Sequence, residues 1–349
     1  MDQKKLDAFL GQVVGDVGAA FSAALVVLGD KLGLYKAMAG AGPLTPEALA
    51  KRTSCAPRYV REWLDNQAAG GYVTYDPAHG TYTLPPEQAA ALADEQSPAF
   101  LSGAFAIIQA GFAGIPTIED RFRTGQGLEW GEQAPCLFEG TERFFRSAYI
   151  GNLVDSWLPS LEGIVPKLKA GAKVADVGCG HGNSTLLMAK AFPKSHFRGF
   201  DYHEGSIKTA RQRAQASGLE GRASFAVGGA TDFEGGGYDL VTHFDCLHDL
   251  ADPVGAGKRV RETLAPGGVW MIVEPKAGDR PEENHNPVGR VYYAASTMLC
   301  VPCSLARKGK ALGAQAGQKR IREVAEEAGF KHFREAASTP FNSVYEVRA

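Results

Sequence analysis

Three closely spaced glycines, Gly178, Gly180 and Gly182, follow an apolar run that carries the acidic residue Asp176. The next apolar run ends in a second carboxylate, Asp201. A glycine turn between a strand and a helix lets a ligand approach the backbone closely, and an acid at the end of the following strand can accept hydrogen bonds from a ribose diol. The pattern therefore predicts a nucleoside site, in which each charge-assisted bond to Asp201 contributes about 1.5–3 kcal/mol.

The spacing of the glycines distinguishes two kinds of nucleoside ligand. Dinucleotide-binding folds use the pattern G-x-G-x-x-G, in which the third glycine lets a helix and a strand pack beneath a pyrophosphate. In this chain Asn183 stands where that third glycine would fall. An oxidoreductase that binds NAD(P) is therefore the weaker alternative, and a cofactor titration would test it.

A second group of candidate residues follows the apolar run 238–244. Asp245 comes directly after this run, and His248 and Asp249 lie within the next turn of chain. Ligands bind beyond the carboxyl ends of parallel strands, so these side chains are expected to face the same cleft as the glycine turn. Imidazole titrates near neutrality, and a carboxylate from Asp249 or Asp252 can orient it, which makes His248 a candidate general base.

These residues need a scaffold in which several strand ends meet, and the second half of the chain has a matching pattern. From Lys173 onward, short apolar runs alternate with helical segments, which predicts a parallel sheet with helices on both faces. The predicted strands are 173–177, 196–200, 223–227, 238–244 and 269–274. Two closing strands, 331–338 and 341–347, are expected after Gly329 ends the last helix.

The first third of the chain is predicted to be mainly helical. Helices followed by two β-prone stretches around the turn-rich loop 76–80 are typical of a winged helix. A DNA-binding winged helix needs a basic recognition helix, but the candidate helix carries Arg58 and Arg61 together with Glu62 and Asp65, so its charges cancel. We therefore favour a scaffold or dimerisation module.

The glycine turn with Asp176, together with Asp201 and the segment 247–252, resembles class I S-adenosylmethionine (SAM) methyltransferases. The two-part plan is similar to that of bacterial small-molecule O-methyltransferases. The resemblance implies an α/β fold with a Rossmann-like, mostly parallel sheet whose last strand runs antiparallel, preceded by a mainly helical winged-helix domain. The expected boundaries are 1–95 for the winged-helix or dimerisation domain, 96–168 for a helical bridge and 169–349 for the SAM-binding domain.

The resemblance also implies roles for individual residues. It predicts methyl transfer from SAM to a small-molecule acceptor, with a hydroxyl as the expected accepting group and S-adenosylhomocysteine (SAH) as product. His248 would be the base, with Asp249 as the second catalytic residue. The family's adenine-binding acid is replaced here by Gly229, with Asp232 as the nearest acid. The residues expected to bind the cofactor are Asp176, Gly178, Gly180, Gly182, Asp201, Tyr202, Thr231, Asp232, Phe233, Phe244 and Asp245.

Composition narrows the range of partners. A net charge of -2 over 349 residues argues against binding to nucleic acid or an anionic membrane through charge. The longest apolar candidate for a membrane span, 19–28, is too short, and no signal-peptide pattern is present.

Six scattered cysteines do not suggest a disulfide framework. Cys300 and Cys303 have redox or half-zinc spacing but are interpreted as buried or pocket-lining thiols, so no metal is assigned. We expect a cytoplasmic homodimer.

The main alternative from another functional class is a SAM-binding winged-helix transcriptional regulator without catalysis. The winged-helix order of the first third motivates it. The mixed charge of the candidate recognition helix and the net negative charge of the chain weigh against it. Salt-sensitive, sequence-selective binding to DNA would be required of such a regulator.

Overall fold

The structure is a computed structural model that describes all 349 residues, and it divides into two compact units. The first, called here the helical unit, consists of Met1–Ala110 and Pro135–Ala148. The second, called the sheet unit, consists of Gly111–Ala134 and Tyr149–Ala349.

The helical unit begins with four helices followed by a short antiparallel hairpin. Its elements are α1 (Gln3–Lys31), α2 (Leu34–Met38), α3 (Pro46–Thr53), α4 (Pro57–Ala69), β1 (Thr74–Asp76), β2 (Thr81–Thr83), α5 (Pro86–Leu92) and the first part of α6 (Ser102–Thr124). Thr45 caps α3 by accepting a hydrogen bond from the backbone N–H of Ala48, and Pro46 occupies the first helical turn. This order of elements confirms the expected winged-helix domain.

Helix α1 is packed at one end only. No residue between Gln3 and Ser22 is buried, whereas Ala23 and Val26 are buried in the helical unit. Phe21 is 76% exposed. By length and composition the helix is long and apolar enough to cross a membrane, and 11% of its most apolar 18-residue window is buried. The stretch 19–28, expected to be too short for a membrane span, is part of this longer helix.

The sheet unit is built on one mixed sheet of seven strands. The strands are β3 (Lys173–Val177), β4 (His196–Asp201), β5 (Ala223–Val227), β6 (Tyr238–Phe244), β7 (Leu264–Pro275), β8 (His332–Ser338) and β9 (Asn342–Arg348). Their order is β5-β4-β3-β6-β7-β9-β8, and β9 pairs antiparallel with both β7 and β8. The prediction of a mostly parallel sheet with an antiparallel last strand is therefore confirmed.

Helices and short turns connect these strands. After α7 (Cys136–Asn152), which begins in the helical unit, the helices are α8 (Leu158–Ser160), α9 (Ile164–Ala170), α10 (Asn183–Ala191), α11 (Glu204–Ala216), α12 (Pro253–Thr263), α13 (Pro287–Ala295), α14 (Val301–Ala306) and α15 (Gly317–Glu327). Two π-helical turns lie at Leu153–Trp157 and Ser296–Cys300, and 3-10 turns lie at Trp130–Glu132, Leu247–Asp249 and Pro281–Asn284.

The centre of the sheet determines where a ligand can bind. β3 pairs in parallel with β4 on one side and with β6 on the other, so the strand order reverses between β3 and β6. The middle of β7, including Trp270 and Ile272, is fully buried, as expected for strands covered on both faces. A crevice at the carboxyl ends of β3 and β6 is the expected ligand position in such a sheet.

Candidate active site

The turn after β3 depends on glycine. Gly178, Gly180 and Gly182 all have positive φ values, +77°, +51° and +81°. A Cβ atom added at Gly178 would lie 2.6 Å from the Sγ atom of Cys246, so a side chain is excluded there. A Cβ atom at Gly180 would meet nothing within 4 Å, which shows open space beside the backbone of the turn. The turn therefore presents accessible backbone at the carboxyl end of β3, as a nucleoside ligand requires.

Asp176 is buried in β3 and connects three elements. Its carboxylate accepts hydrogen bonds from the hydroxyls of Ser184 (2.6 Å) and Thr185 (2.5 Å) in α10 and of Thr242 (3.0 Å) in β6. Burial raises the pKa of this carboxyl group, while the three hydroxyl donors act in the opposite direction. The residue thus fixes the glycine turn relative to α10 and β6.

Asp201 lies at the end of β4, directly beside the glycine turn. Its Oδ2 atom accepts a hydrogen bond from the backbone N–H of Gly180 (3.0 Å), and its Oδ1 atom accepts one from His203 (2.8 Å). Burial raises the pKa of Asp201, and the two backbone donors oppose that rise. A carboxylate has about four lone-pair positions, so each oxygen can still accept a hydroxyl of a ribose diol.

The other residues predicted to contact the nucleoside have different surroundings. Tyr202 is partly exposed, and the guanidinium carbon of Arg307 lies 4.5 Å from the centre of its ring. Thr231 and Asp232 are exposed, and Asp232 accepts a hydrogen bond from the backbone N–H of Gly229 at 2.8 Å. Phe233 is fully buried, and its ring packs in the core of the sheet unit. The ring of Phe233 therefore contributes to the hydrophobic core of the sheet unit.

The end of β6 brings together side chains from distant parts of the chain. Phe244 is buried, with its ring 5.3 Å from that of Tyr149. Asp245 has a positive φ of 50° and is buried. It accepts hydrogen bonds from the hydroxyl of Tyr149 (3.2 Å) and the amide of Asn342 (2.7 Å). Burial, followed by the charge of Glu274, raises the pKa of Asp245 well above its usual range.

His248 lies in the 3-10 turn after β6 with a carboxylate at each ring nitrogen. Nδ1 is 2.5 Å from Oε2 of Glu274, and Nε2 is 3.1 Å from Oδ1 of Asp249. Burial acts to lower the pKa of the imidazole, but the charges of Asp249 and Glu274 outweigh it and raise the pKa well above 6.5. The Nδ1–H bond to Glu274 fixes the ring, which leaves Nε2 as the nitrogen that can exchange a proton.

The sequence analysis did not identify the residue that orients His248 through Nδ1. Glu274 ends the apolar part of β7, and its Oε1 atom also accepts the backbone N–H of Leu247 at 3.0 Å. The other carboxylate considered for this task, Asp252, instead caps α12 by accepting the N–H of Gly255 at 2.7 Å. The sequence signal that could have identified Glu274 is its position as an acidic residue at the carboxyl end of β7, the strand that pairs with β6.

Tyr149 and Asn342 were also missed as neighbours of Asp245. Tyr149 comes from α7, and Asn342 begins β9, so 96 and 97 residues separate them from Asp245. Tyr149 was interpreted only as one of many aromatic residues in the predicted bridge. Nothing in the local sequence around either residue indicates this contact.

Comparison with known protein families covers both units of the chain. Residues 168–329 match a methyltransferase-domain family, and residues 20–94 match an Rv2258c-like winged HTH domain. A trans-aconitate 2-methyltransferase of Afipia carboxidovorans is 31% identical over 118 residues, covering 34% of this chain and 43% of that protein. A demethylmenaquinone methyltransferase of Thermus thermophilus is 31% identical over 125 residues, covering 36% and 56%. The chain spans less than two thirds of the length of these relatives.

Solved structures match the fold over nearly the whole length of this chain. The mitomycin 7-O-methyltransferase MmcR has a TM-score of 0.73 at 17% identity and covers 100% of both chains. Human N-acetylserotonin methyltransferase in complex with SAM has a TM-score of 0.72 at 17% identity, covering 97% of each. An O-methyltransferase from neocarzinostatin biosynthesis, in complex with SAH and 1,4-dihydroxy-2-naphthoic acid, has a TM-score of 0.64 at 22% identity, covering 97% and 98%.

The fold and the two family matches agree with the resemblance found in the sequence. The strand order with its antiparallel last strand and the helices that precede a hairpin are both present. The chain thus contains a methyltransferase domain matched over residues 168–329, preceded by an Rv2258c-like winged HTH domain matched over residues 20–94.

Proposed function

We propose that this protein transfers a methyl group from SAM to a hydroxyl of a small-molecule acceptor. One observation carries the proposal: a buried histidine, His248, has carboxylates at both ring nitrogens and lies at the end of β6, next to the strand that leads into the glycine turn. A nucleoside-type turn and a candidate base thus meet at the carboxyl ends of adjacent strands. Binding alone would not require an oriented, buried imidazole.

The cofactor seat that we propose is formed by the residues around the glycine turn. SAM supplies an electrophilic methyl group on a cationic sulfonium. Asp201 would accept the ribose hydroxyls, and the accessible backbone at Gly180 would lie against the ligand. Asp176 would hold the turn, and Asp245 would provide a buried acid for the ammonium end of the ligand. We retain Gly178, Gly182, Tyr202, Thr231, Asp232 and Phe244 as parts of this proposed seat, and Phe233 through its backbone, since its ring lies in the core.

The base step that we propose uses Nε2 of His248, the nitrogen beside Asp249, in its unprotonated form. Because the flanking carboxylates raise the pKa of the imidazole, the unprotonated fraction increases with pH. Nε2 takes the proton of the acceptor hydroxyl while the oxygen attacks the methyl carbon, and the carbon–sulfur bond breaks to give neutral SAH. Glu274 holds the ring through Nδ1 and stabilises the imidazolium that forms. Asp249 adds a second negative charge beside that cation. The residues must also align the reacting atoms and exclude water, which the burial of His248 supports.

The acceptor that we propose is small and partly apolar. The neocarzinostatin-pathway enzyme, which has the same fold, was solved with 1,4-dihydroxy-2-naphthoic acid. In this chain, Met298 of the π-helical turn Ser296–Cys300 lines an apolar groove with Ile115, Ile118 and Phe122. The same turn carries Cys300, whose thiol lies beside His248. An aromatic hydroxyl compound would match both features.

We further propose that domain 1–95 is a scaffold and dimerisation module of a cytoplasmic enzyme, linked through 96–168 to the domain 169–349. The exposed apolar residues of α1, such as Phe9, Val14 and Phe21, support a protein partner, and a second copy is the simplest one. In α4, Arg58 pairs with Glu62, which weighs against DNA binding and therefore against the regulator alternative.

Two measurements test the proposed function. Calorimetric titration should give binding of SAM and SAH in the micromolar range. A methyl-transfer assay on a panel of hydroxylated aromatic acids should then show turnover that depends on His248. Absence of cofactor binding by the folded protein would contradict the proposal, and salt-sensitive, sequence-selective DNA binding without turnover would favour the regulator instead.

A further inference from the structure

The motif Cys300-Val-Pro-Cys303 has no part in the proposed methyl transfer, yet its first cysteine lies at the candidate base. Cys300 ends the π-helical turn Ser296–Cys300 that leads into α14. A ring nitrogen of His248, a carboxylate oxygen of Asp249 and Sγ of Cys300 lie within 4.8 Å of one another, and Nε2 of His248 is 3.1 Å from Oδ1 of Asp249. The spacing along the sequence gave no sign of this, because 51 residues of chain separate Asp249 from Cys300.

The surroundings of these three atoms differ from those of a surface cluster. His248 is 3% exposed and Cys300 is 8% exposed. The Oδ1 atom of Asp249 is buried and makes no well-aligned hydrogen bond, although it lies 3.1 Å from Nε2 of His248. The imidazole and thiol groups beside this oxygen compensate for its desolvation only in part, and a cation bound by all three residues would replace their protons.

We propose that His248, Asp249 and Cys300 form a binding site for a borderline-soft divalent cation, best represented by Zn²⁺. Imidazole nitrogen, carboxylate oxygen and cysteine sulfur are the three ligand types that zinc uses in proteins, and a sulfur ligand excludes Mg²⁺ and Ca²⁺. Three protein ligands also leave one tetrahedral position open, as in zinc sites that exchange their metal-bound solvent.

Glu274 provides the hydrogen-bond partner that the second ring nitrogen of a zinc-binding histidine usually has. Its Oε2 atom lies 2.5 Å from Nδ1 of His248, so the carboxylate fixes the tautomer that directs Nε2 towards Asp249 and Cys300. Metal-bound histidines almost always donate their other N–H in this way, and loss of that partner weakens metal binding by about 10–100-fold.

The consequence for activity rests on the proposed function. Nε2 of His248 has one lone pair, so it cannot bind a metal ion and accept the acceptor's proton at the same time. Zinc at this site therefore inhibits methyl transfer reversibly, and a chelator restores it. Binding itself is independent of catalysis and can be measured in the resting protein.

Cobalt is the spectroscopic probe for the first experiment. Full-length protein is freed of metal with a chelator and titrated with Co²⁺, then with Zn²⁺. A tetrahedral site with one thiolate gives d–d bands in the visible region and a sulfur-to-cobalt charge-transfer band in the near ultraviolet, both abolished by one equivalent of Zn²⁺. Cys300→Ser should lose the charge-transfer band and weaken zinc binding by more than tenfold, whereas Glu274→Gln should keep the band and weaken binding by about 10–100-fold.

A matched thiol control separates this site from adventitious binding. Cys55 is a free, partly buried cysteine in the helical unit, so Cys55→Ser removes one thiol elsewhere and should change neither the spectrum nor the affinity. Absence of the charge-transfer band in the wild type, or its persistence in Cys300→Ser, overturns the proposal. Circular dichroism confirms that each variant is folded.

Inhibition is tested separately, so that the two proposals can fail independently. Zinc should inhibit the wild type and Cys55→Ser, and its inhibition constant should rise more than tenfold in Cys300→Ser, each protein being compared with its own rate in chelator. Spectroscopic binding without any methyl transfer in chelator would contradict the proposed function alone. Turnover without a cobalt signal would contradict the zinc site alone.

Discussion

At the glycine turn, Asp201 is held by backbone N–H groups that lie 21 and 2 residues away in sequence, those of Gly180 and His203. At the end of β6, the partners come from far along the chain. Glu274 lies 26 residues from His248, and Tyr149 and Asn342 lie 96 and 97 residues from Asp245. We call the first region the donor half, with Gly178–Gly182 and Asp201, and the second the base half, with Asp245–Asp249 and Glu274.

Because the two halves are assembled differently, substitutions in them should affect different properties of the protein. Because the donor half is built from one strand–turn–helix segment and the strand beside it, single substitutions there should change cofactor affinity and little else. The base half depends on the packing of α7, β7 and β9 around β6, so its substitutions should act on turnover through the position and charge of His248.

The largest expected effect comes from removing the carboxylate of the donor half. Asp201→Ala should weaken SAM and SAH binding by about 10²–10⁴-fold, because two charge-assisted bonds of roughly 1.5–3 kcal/mol each are lost. Isothermal titration measures the affinity. Glu220→Ala, which removes an exposed acid of the sheet unit, serves as the matched control and should bind normally. Unchanged affinity in Asp201→Ala would place the ribose elsewhere.

The next effect concerns turnover alone. His248→Ala should reduce kcat by about 10²–10⁴-fold, the usual contribution of a general base, while SAH affinity changes by less than about threefold. His285→Ala is the matched control, since His285 is an exposed histidine of the same unit. Equal loss of cofactor affinity and turnover in His248→Ala would show that the two halves are not separable, and full turnover would exclude the base role.

The difference between the donor half and the base half also explains which features of the fold and site could be predicted from the sequence. The strands, the glycine turn and Asp201 follow from patterns within short segments, because side-chain periodicity and positive φ values at glycine are local properties. The acid that orients His248 was expected at Asp249 or Asp252, its sequence neighbours. Asp249 lies at Nε2, whereas Asp252 caps α12. Glu274 reaches Nδ1 because β7 pairs directly with β6. Such contacts depend on strand pairing and cannot be read from local spacing.

Phe233 and Cys300 are two further residues whose surroundings depend on tertiary contacts. The motif position of Phe233 suggested a ligand contact, but its side chain fills the core between Phe200 and Tyr238. Cys300 was interpreted as a pocket-lining thiol, and tertiary folding brings it beside His248 and Asp249. Residue type and spacing therefore describe the donor half well, whereas the base half needs the three-dimensional arrangement.

A smaller effect is expected from the long-range partner of the base. Glu274→Gln keeps the size of the side chain but removes the charge that stabilises the imidazolium, and we expect a decrease in kcat of about 10–100-fold with little change in KM. Glu274→Asp should recover part of the rate, since it restores the charge. The stoichiometry of SAH binding, measured by titration, separates a positioning role from loss of folding, because an unfolded fraction would lower the number of binding sites in proportion to the rate. A positioning role lowers kcat with the stoichiometry unchanged.

The smallest effect is a pH dependence confined to the donor half. Burial raises the pKa of Asp201 above its usual 3.8, and the titratable groups that face it are those of Asp176, Cys179, Tyr202 and His203. Only the ionised carboxylate accepts both ribose hydroxyls, so SAH affinity should be complete above the raised pKa and should fall as the pH decreases through it. The decrease should begin at a higher pH than for an exposed aspartate and approach tenfold per pH unit.

Asp201→Asn distinguishes this titration from that of any other group. The amide still fills the space of the carboxylate but does not titrate, so its weaker SAH binding should lose the acid-dependent decrease that the wild type shows. Titration calorimetry of both proteins between pH 4 and pH 8, with heats measured in two buffers, gives the affinity and the proton uptake together. If the decrease persists in Asp201→Asn, the titrating group belongs to the base half, where burial also raises the pKa of Asp245, and the two halves are then coupled through the cofactor.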